Sequence, residues 1–256
     1  MNKSKRKEKF KMNYKIIIMG VLALTLFPKN AWALEENVKE DYKVVAQVEK
    51  YYKTTSNLYN LNREYNNTTT EISKAEYDSY TDTITRGNGI SETTYKKLTT
   101  SILNNGSRFR YQATLTWKNF PAVRSYDVIG IGHYSNVKYD SNLNFSQTYC
   151  LSGGGCRTLT TYYPKITSTG AGAVFKVPTG TLSSLSQTIY FDVTKNVNAT
   201  INSQAAYGDY SHATETVNEN QAQNYSIGTS GIVFSNGVGN YYDNIAPAMA
   251  TWNGNW

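Results

Sequence analysis

Two histidines are the side chains of this sequence best suited to acid–base catalysis, because histidine exchanges protons near neutral pH. His133 follows Asp127, and His212 follows Asp209, each within a few residues. A serine stands near each histidine, so a Ser-His-Asp hydrolase site can be assembled on paper. Serine is abundant in this chain, and the spacing of a nucleophile elbow is absent. We therefore interpret these four residues as a candidate polar site and favour ordinary hydrogen-bonded histidines over catalytic ones.

The two cysteines, Cys150 and Cys156, enclose three consecutive glycines. Two sulfurs cannot close a zinc site by themselves, and the sequence offers only two histidines to join them. In an exported chain, a pair of cysteines favours a disulfide bond. The sequence predicts a bridge that staples a β-turn or hairpin end, because Gly153 to Gly155 cannot order the backbone there. We expect no bound metal and no cofactor.

A second glycine motif, Gly130-Ile131-Gly132, resembles the start of a dinucleotide-binding fingerprint. The fingerprint requires a third glycine, which Ser135 replaces, and a following helix, which the pattern does not predict. A bulge or close strand packing explains the glycines better.

Tyrosine is frequent, with 22 in the chain. Tyrosine and tryptophan provide large amphipathic contact areas at low entropic cost, which suits recognition of sugars or proteins. Tyrosine is also a good strand residue, so the enrichment has a purely structural alternative. The aromatic residues of the C-terminal half that we predict to form a binding surface are Tyr162, Tyr163, Tyr207, Tyr210, Tyr241, Tyr242 and Trp252.

The first 33 residues have the layout of a secretory signal peptide. A basic segment precedes an apolar run from Ile16 to Phe27, and Ala31-Trp32-Ala33 follows as a small-residue cleavage site. The run is 12 residues long, short of the ~20 that span a bilayer. Residues 1–33 contain eight of the 26 basic and one of the 19 acidic residues, which leaves 18 of each afterwards. We expect cleavage after Ala33, secretion, and no nucleic-acid partner, since such a partner requires a basic surface.

The composition changes near Gly106, with charged residues dense before it and glycines concentrated after it. Before Gly106, apolar residues at three- and four-residue steps predict an amphipathic helix through Val38, Tyr42, Val45, Val48, Tyr52, Thr55 and Tyr59. Ser73 and Glu76 have capping-box spacing and predict a short helix. Ser91 is a candidate cap for a third helix, with one face made of Tyr95, Leu98 and Ile102. We expect residues 34–105 to form a polar, partly helical region.

After Gly106 the apolar period becomes two, first at Phe109, Tyr111, Ala113, Leu115 and Trp117. A more continuously apolar run, 126–131, predicts a central strand. Further strands are expected at 136–139, 144–149, 158–162, 171–177, 188–194, 198–207 and 227–234. Short strands separated by Asn, Gly, Pro and Ser predict that residues 106–256 form an antiparallel β-sandwich or barrel-like domain.

These observations favour a secreted bacterial protein that is a non-enzymatic binding or interaction module. Its partner would be a cell-envelope glycan, a protein or a host surface. One alternative is a membrane-active, β-pore-forming toxin-like protein, because residues 166–186 are small, Ser/Thr-rich and weakly alternating; otherwise this stretch is an exposed hairpin. The other alternative is a secreted hydrolase, which requires the histidines or two acidic residues to converge in a cleft.

Overall fold

The computed structural model describes residues 41–59, 64–80 and 91–256 of the chain. The predicted signal peptide and its cleavage after Ala33 lie outside these residues. In chain order the elements are β1 (Lys43–Tyr59), β2 (Glu64–Ile72), α1 (Lys74–Ser79), β3 (Ser91–Asn104), β4 (Phe109–Trp117), β5 (Tyr126–His133), β6 (Val137–Leu151), β7 (Cys156–Leu159), β8 (Tyr163–Thr167), β9 (Gly170–Lys176), β10 (Leu182–Lys195), β11 (Ser203–Ala213), α2 (Glu219–Ala222), β12 (Tyr225–Gly228), β13 (Gly231–Phe234), a 3₁₀ turn (Val238–Tyr241), β14 (Tyr242–Asn244) and β15 (Ala248–Asn253).

The strands form two large antiparallel sheets and a small hairpin. The seven-stranded sheet has the order β2-β1-β3-β4-β10-β6-β7. The six-stranded sheet has the order β14-β11-β5-β9-β8, and β15 pairs with the first half of β11. The two sheets enclose one hydrophobic core, to which β3, β4 and β10 contribute from one side and β5, β9 and β11 from the other. The predicted class, a mainly β antiparallel sandwich, is confirmed.

The alternation of β4 sets which of its side chains enter the core. Every second residue from Phe109 to Trp117 is buried, as the period-two pattern predicts. By contrast, β5 is buried along nearly its whole length, as expected for a central strand. Both faces of β5 are covered, because the β12–β13 hairpin packs on the side of the six-stranded sheet that faces away from the main core.

Four glycines make that second layer possible. Gly130 pairs with Gly172 and Gly132 pairs with Gly170, so they form a flat patch on β5 and β9. A Cβ atom at Gly132 would overlap the backbone of Gly228 in the hairpin. Of the two explanations offered for the Gly130-Ile131-Gly132 motif, close strand packing is the one that the structure shows.

The predicted disulfide is confirmed as well. Cys150 and Cys156 are bonded, and they are the last pair of the β6–β7 ladder before its turn. Backbone hydrogen bonds from Leu151 to Gly155 and from Gly154 to Leu151 complete that turn. The bridge therefore staples a hairpin end.

The two longer predicted helices are wrong, because their described residues are strands. β1 and β3 pair with each other along most of their length and belong to the seven-stranded sheet. Their Val, Tyr and Thr residues favour strands, and this propensity prevailed over an accidental three- and four-residue spacing. The short helix is correct: α1 begins after Ser73, whose hydroxyl accepts a hydrogen bond from the Glu76 amide.

The expected division near Gly106 falls in the turn between β3 and β4, two paired strands of one sheet. The described residues from Tyr42 to Trp256 form one compact unit. The segments predicted at 136–139 and 144–149 are parts of the single strand β6. Within 166–186, β9 is buried through Phe175 rather than belonging to an exposed hairpin.

Candidate functional site

Asp127 and His212 are the two members of the predicted polar site that the fold brings together. The β5–β11 register pairs Val128 with Ser211, which places these residues side by side on the core-facing side of the sheet. His212 Nδ1 lies 2.9 Å from Asp127 Oδ2. The Ala213 amide donates to the other carboxylate oxygen at 2.9 Å, and the Tyr210 hydroxyl also donates to Asp127. The carboxylate is completely buried, so these contacts fix both the aspartate and the imidazole orientation.

His133 lies at the opposite end of β5, with Nδ1 2.8 Å from the Tyr134 carbonyl oxygen. Burial lowers its pKa, although the contact with the Tyr134 carbonyl acts in the other direction. The expected pairing of His133 with Asp127 is therefore wrong, because six residues of extended strand separate them by roughly 20 Å.

Asp209 points to the other side of β11, since it is an odd number of residues from His212. It accepts hydrogen bonds from the Ile232 amide at 2.6 Å and the Tyr210 amide at 2.7 Å. Burial raises the pKa of Asp209 to about 7, against the lowering effect of both amides. Its role is to hold the β12–β13 hairpin, and its expected association with His212 is wrong.

A buried ion pair next to the Asp127–His212 contact was not predicted. Lys96 on β3 is fully buried, and its ammonium lies 3.0 Å from Asp243 Oδ2 on β14. The hydroxyls of Thr54 and Thr69 donate to the same oxygen at 3.1 and 2.6 Å. Burial by itself would raise the pKa of Asp243, but the charge of Lys96, the Thr69 hydroxyl and the charge of His212 bring it below its usual value.

Aromatic rings enclose the ammonium group of Lys96. Its nitrogen lies 5.2 Å from the centre of the Trp117 ring and 5.9 Å from that of Tyr210. Trp117 also packs edge-on against the imidazole of His212, with centres 5.4 Å apart. The cluster thus joins β1, β2 and β3 of one sheet to β5, β11 and β14 of the other.

A small surface depression borders this cluster. His212 is one of its lining residues, and hydroxyl, amide and small apolar side chains complete the lining, namely Thr54, Ser56, Asn67, Thr94, Pro121, Ala122, Val123 and Thr214.

The predicted aromatic surface does not exist as one patch. Tyr210 and Tyr242 are buried, so their assignment to a binding surface is wrong. Tyr210 is a core residue bonded to Asp127, and the Tyr242 hydroxyl donates to the Tyr126 carbonyl at 2.9 Å. The half-buried residues are Tyr162, Tyr163 and Trp252, and Tyr241 is exposed. These side chains lie on different elements.

Tyr207 is also buried, but it contacts the exposed ring of Tyr134 and pairs with the exposed Met249; we call these three residues the Tyr134 patch. The rings of Tyr134 and Tyr207 meet edge to face with centres 5.5 Å apart. Met249 is the direct partner of Tyr207 across the β11–β15 ladder. Tyr134 and Met249 are 45% and 47% exposed, whereas Tyr207 is buried beneath them. Burial, followed by the hydrogen bond with Tyr134, raises the pKa of Tyr207.

No known protein-family profile matches this chain, and no curated protein sequence matches it. Among solved structures, the chain is similar to the full-length major pilin SpaD from Corynebacterium diphtheriae. The match covers 78% of this chain and 74% of the pilin at 7% identity, with a TM-score of 0.28. A likeness of this size carries no argument about the function of this chain. Among the described residues, no helix is both long and apolar enough to cross a membrane.

Proposed function

We propose that this chain is a secreted bacterial, non-enzymatic module that binds another protein through the Tyr134 patch. The observation that carries the proposal is the exposure of Tyr134 and Met249, which both lie next to Tyr207. Tyrosine and methionine are enriched, and charged residues depleted, in the cores of protein interfaces. Tyr207 supports Tyr134 from below, which lowers the entropy lost when a partner covers the exposed ring.

The disulfide bond between Cys150 and Cys156 and the signal-peptide layout of residues 1–33 support an oxidising, extracytoplasmic location. The partner would be an envelope or host protein whose apolar side chains cover the patch. A glycan partner would instead use the exposed tyrosine ring as a stacking platform, without a contribution from the methionine.

A binding comparison tests the proposal. The immobilised protein is incubated with solubilised envelope proteins and with host extracellular proteins, beside a Tyr134→Ser/Met249→Ser variant. The control is Leu159→Ser, a similarly exposed apolar residue on β7. We expect a saturable partner that the control retains and the double variant loses. Equal binding by all three forms, or binding only on a glycan array, would contradict the proposal.

The Asp127–His212 contact favours a second candidate, a secreted hydrolase. An aspartate that orients an imidazole is how a histidine general base is held, and here the imidazole borders a depression lined with hydroxyl groups. This candidate predicts turnover of chromogenic ester or glycoside substrates that His212→Gln abolishes. Absence of turnover by the folded protein, or equal turnover by the variant, would remove it.

A further inference from the structure

The completely buried amine of Lys96 has no role in the binding surface proposed above. It lies on the core-facing stripe of β3, between Thr94 and Leu98, both of which are also buried. Taking a lysine and an aspartate out of water is unfavourable for each ion unless the interior compensates its charge. A stripe position of this kind normally holds an apolar residue, so the amine requires an explanation.

The surroundings of the pair resemble a site prepared for reaction more than a solvated ion pair. The Lys96 nitrogen is 3.0 Å from the Asp243 oxygen, and Trp117 and Tyr210 lie over the amine. The hydroxyls of Thr54 and Thr69 donate to the same carboxylate oxygen. Donors fixed in this way can stabilise negative charge that develops on that oxygen when the carboxyl carbon is attacked.

We propose that Lys96 and Asp243 condense to an intramolecular amide bond that covalently joins the two sheets. The ammonium of Lys96 first gives a proton to the Asp243 carboxylate within the pair. The neutral amine then attacks the carboxyl carbon, a nitrogen–carbon bond forms, and a carbon–oxygen bond breaks. One water leaves, carrying the second proton of the amine, so that atoms and charge balance and no oxidant or cofactor is needed.

Two features favour this condensation in the folded chain. Holding amine and carboxyl in contact supplies an effective concentration on the order of 10⁵–10⁸ M for well-oriented groups. The product is a neutral amide in place of two buried charges, and water is scarce in the core to reverse the step. His212 is the direct partner of Asp243 across the β11–β14 ladder, and its Nδ1 is hydrogen-bonded to Asp127.

The bond would join residues 147 positions apart in the chain. It would tie β3, near the middle of the seven-stranded sheet, to β14 at the edge of the six-stranded sheet. Unfolding of the sandwich could then no longer separate these strands.

Mass spectrometry of the folded wild-type protein tests the proposal. After the N-terminus has been determined, we expect an intact mass lower than the sequence mass by one water, about 18 Da, in addition to the two hydrogens of the disulfide. A reduced tryptic digest should contain the Lys96 peptide joined to the Asp243 peptide. A wild-type protein with its full mass and a free Lys96 side chain would overturn the proposal, as would a mass deficit located in other peptides.

Matched variants sharpen the result. Lys96→Met should recover the full mass, whereas Lys97→Met should keep the deficit, because Lys97 pairs with Glu49 near the surface. Asp243→Asn should still form the same amide but should lose ammonia instead of water relative to its own sequence. An Asp243→Asn protein that folds and keeps its full mass would count against the proposed chemistry. The wild-type measurement decides the question even if a variant fails to fold.

Discussion

Alanine at position 132 adds one methyl group where the β12–β13 hairpin touches the six-stranded sheet. The new Cβ would overlap the carbonyl group of Gly228 and lie 2.9 Å from its Cα atom. These are backbone atoms, which cannot turn away as a side chain can, so the hairpin itself must shift. The shift would loosen the second core, in which Tyr225, Ile227 and Ile232 are buried.

The expected cost follows from that contact. Overpacking a well-packed core costs typically 1–3 kcal/mol, and burial of one large apolar side chain contributes about 1.5–3 kcal/mol. We expect Gly132→Ala to lower the free energy of unfolding by about 3 kcal/mol. For a domain of this size that corresponds to roughly 6–12 °C in Tm. Thermal unfolding followed by circular dichroism measures the shift, and limited proteolysis should locate new cleavage in the hairpin.

Two further glycines provide a graded control. At Gly172 the nearest atom to a new Cβ is the Tyr225 hydroxyl, a side-chain atom at 2.7 Å, and the nearest backbone atom is 3.1 Å away, so Gly172→Ala should cost less, about 1 kcal/mol. At Gly155 no atom lies within 4 Å, so Gly155→Ala should stay within about 0.5 kcal/mol of wild type. If Gly132→Ala and Gly155→Ala have the same Tm, the hairpin is not held by close contact with the glycine patch.

Two further predictions concern stability. Replacing Cys150 and Cys156 by serine removes a bridge that closes seven residues, so the free energy of unfolding should fall by about 2.4 kcal/mol; an unchanged Tm would show that the staple is dispensable. Asp209 has a pKa of about 7 in the folded state against a usual 3.8, so between these values the folded protein holds a proton that the unfolded chain has lost. Stability should therefore fall as the pH rises through that window. Urea unfolding at about pH 5 and about pH 8 measures this decrease in the free energy of unfolding. The decrease should be much smaller in Asp209→Asn than in the wild-type protein, and an equal decrease in both would refute the assignment.

The β-rich class and the disulfide could be predicted because their signals are local. In β4, apolar residues alternate with polar ones and turn residues flank the segment. This local pattern is enough to predict a half-buried strand, whatever the rest of the chain does. In β3 the same alternation is present, since Thr94, Lys96, Leu98, Thr100 and Ile102 are all buried. Three of these five are polar, so the apolar residues taken alone, Tyr95, Leu98 and Ile102, have the three- and four-residue spacing that is typical of a helix.

The candidate site could be predicted only in part, because strand register decides which residues meet. The sequence predicts both Asp127 and His212 as members of a polar site, but each with a partner nearby in the chain. The pairing that forms instead joins residues 85 positions apart. Side-chain alternation could have separated Asp209 from His212, since residues three apart on a strand point to opposite faces. Lys96 was missed because a single lysine among polar residues carries no sign of burial until the sheet is assembled.

Site-specific photo-crosslinking tests the binding function most directly. A photoreactive phenylalanine analogue is placed at position 134 in the Tyr134 patch and, as a control, at position 159 on the exposed edge strand β7. Each protein is irradiated in the presence of living cells that secrete it and, separately, of host extracellular proteins. We predict a discrete protein adduct from position 134 that excess wild-type protein suppresses, and none from position 159. The same adducts from both positions, or none from position 134, would contradict a protein-binding role for this surface.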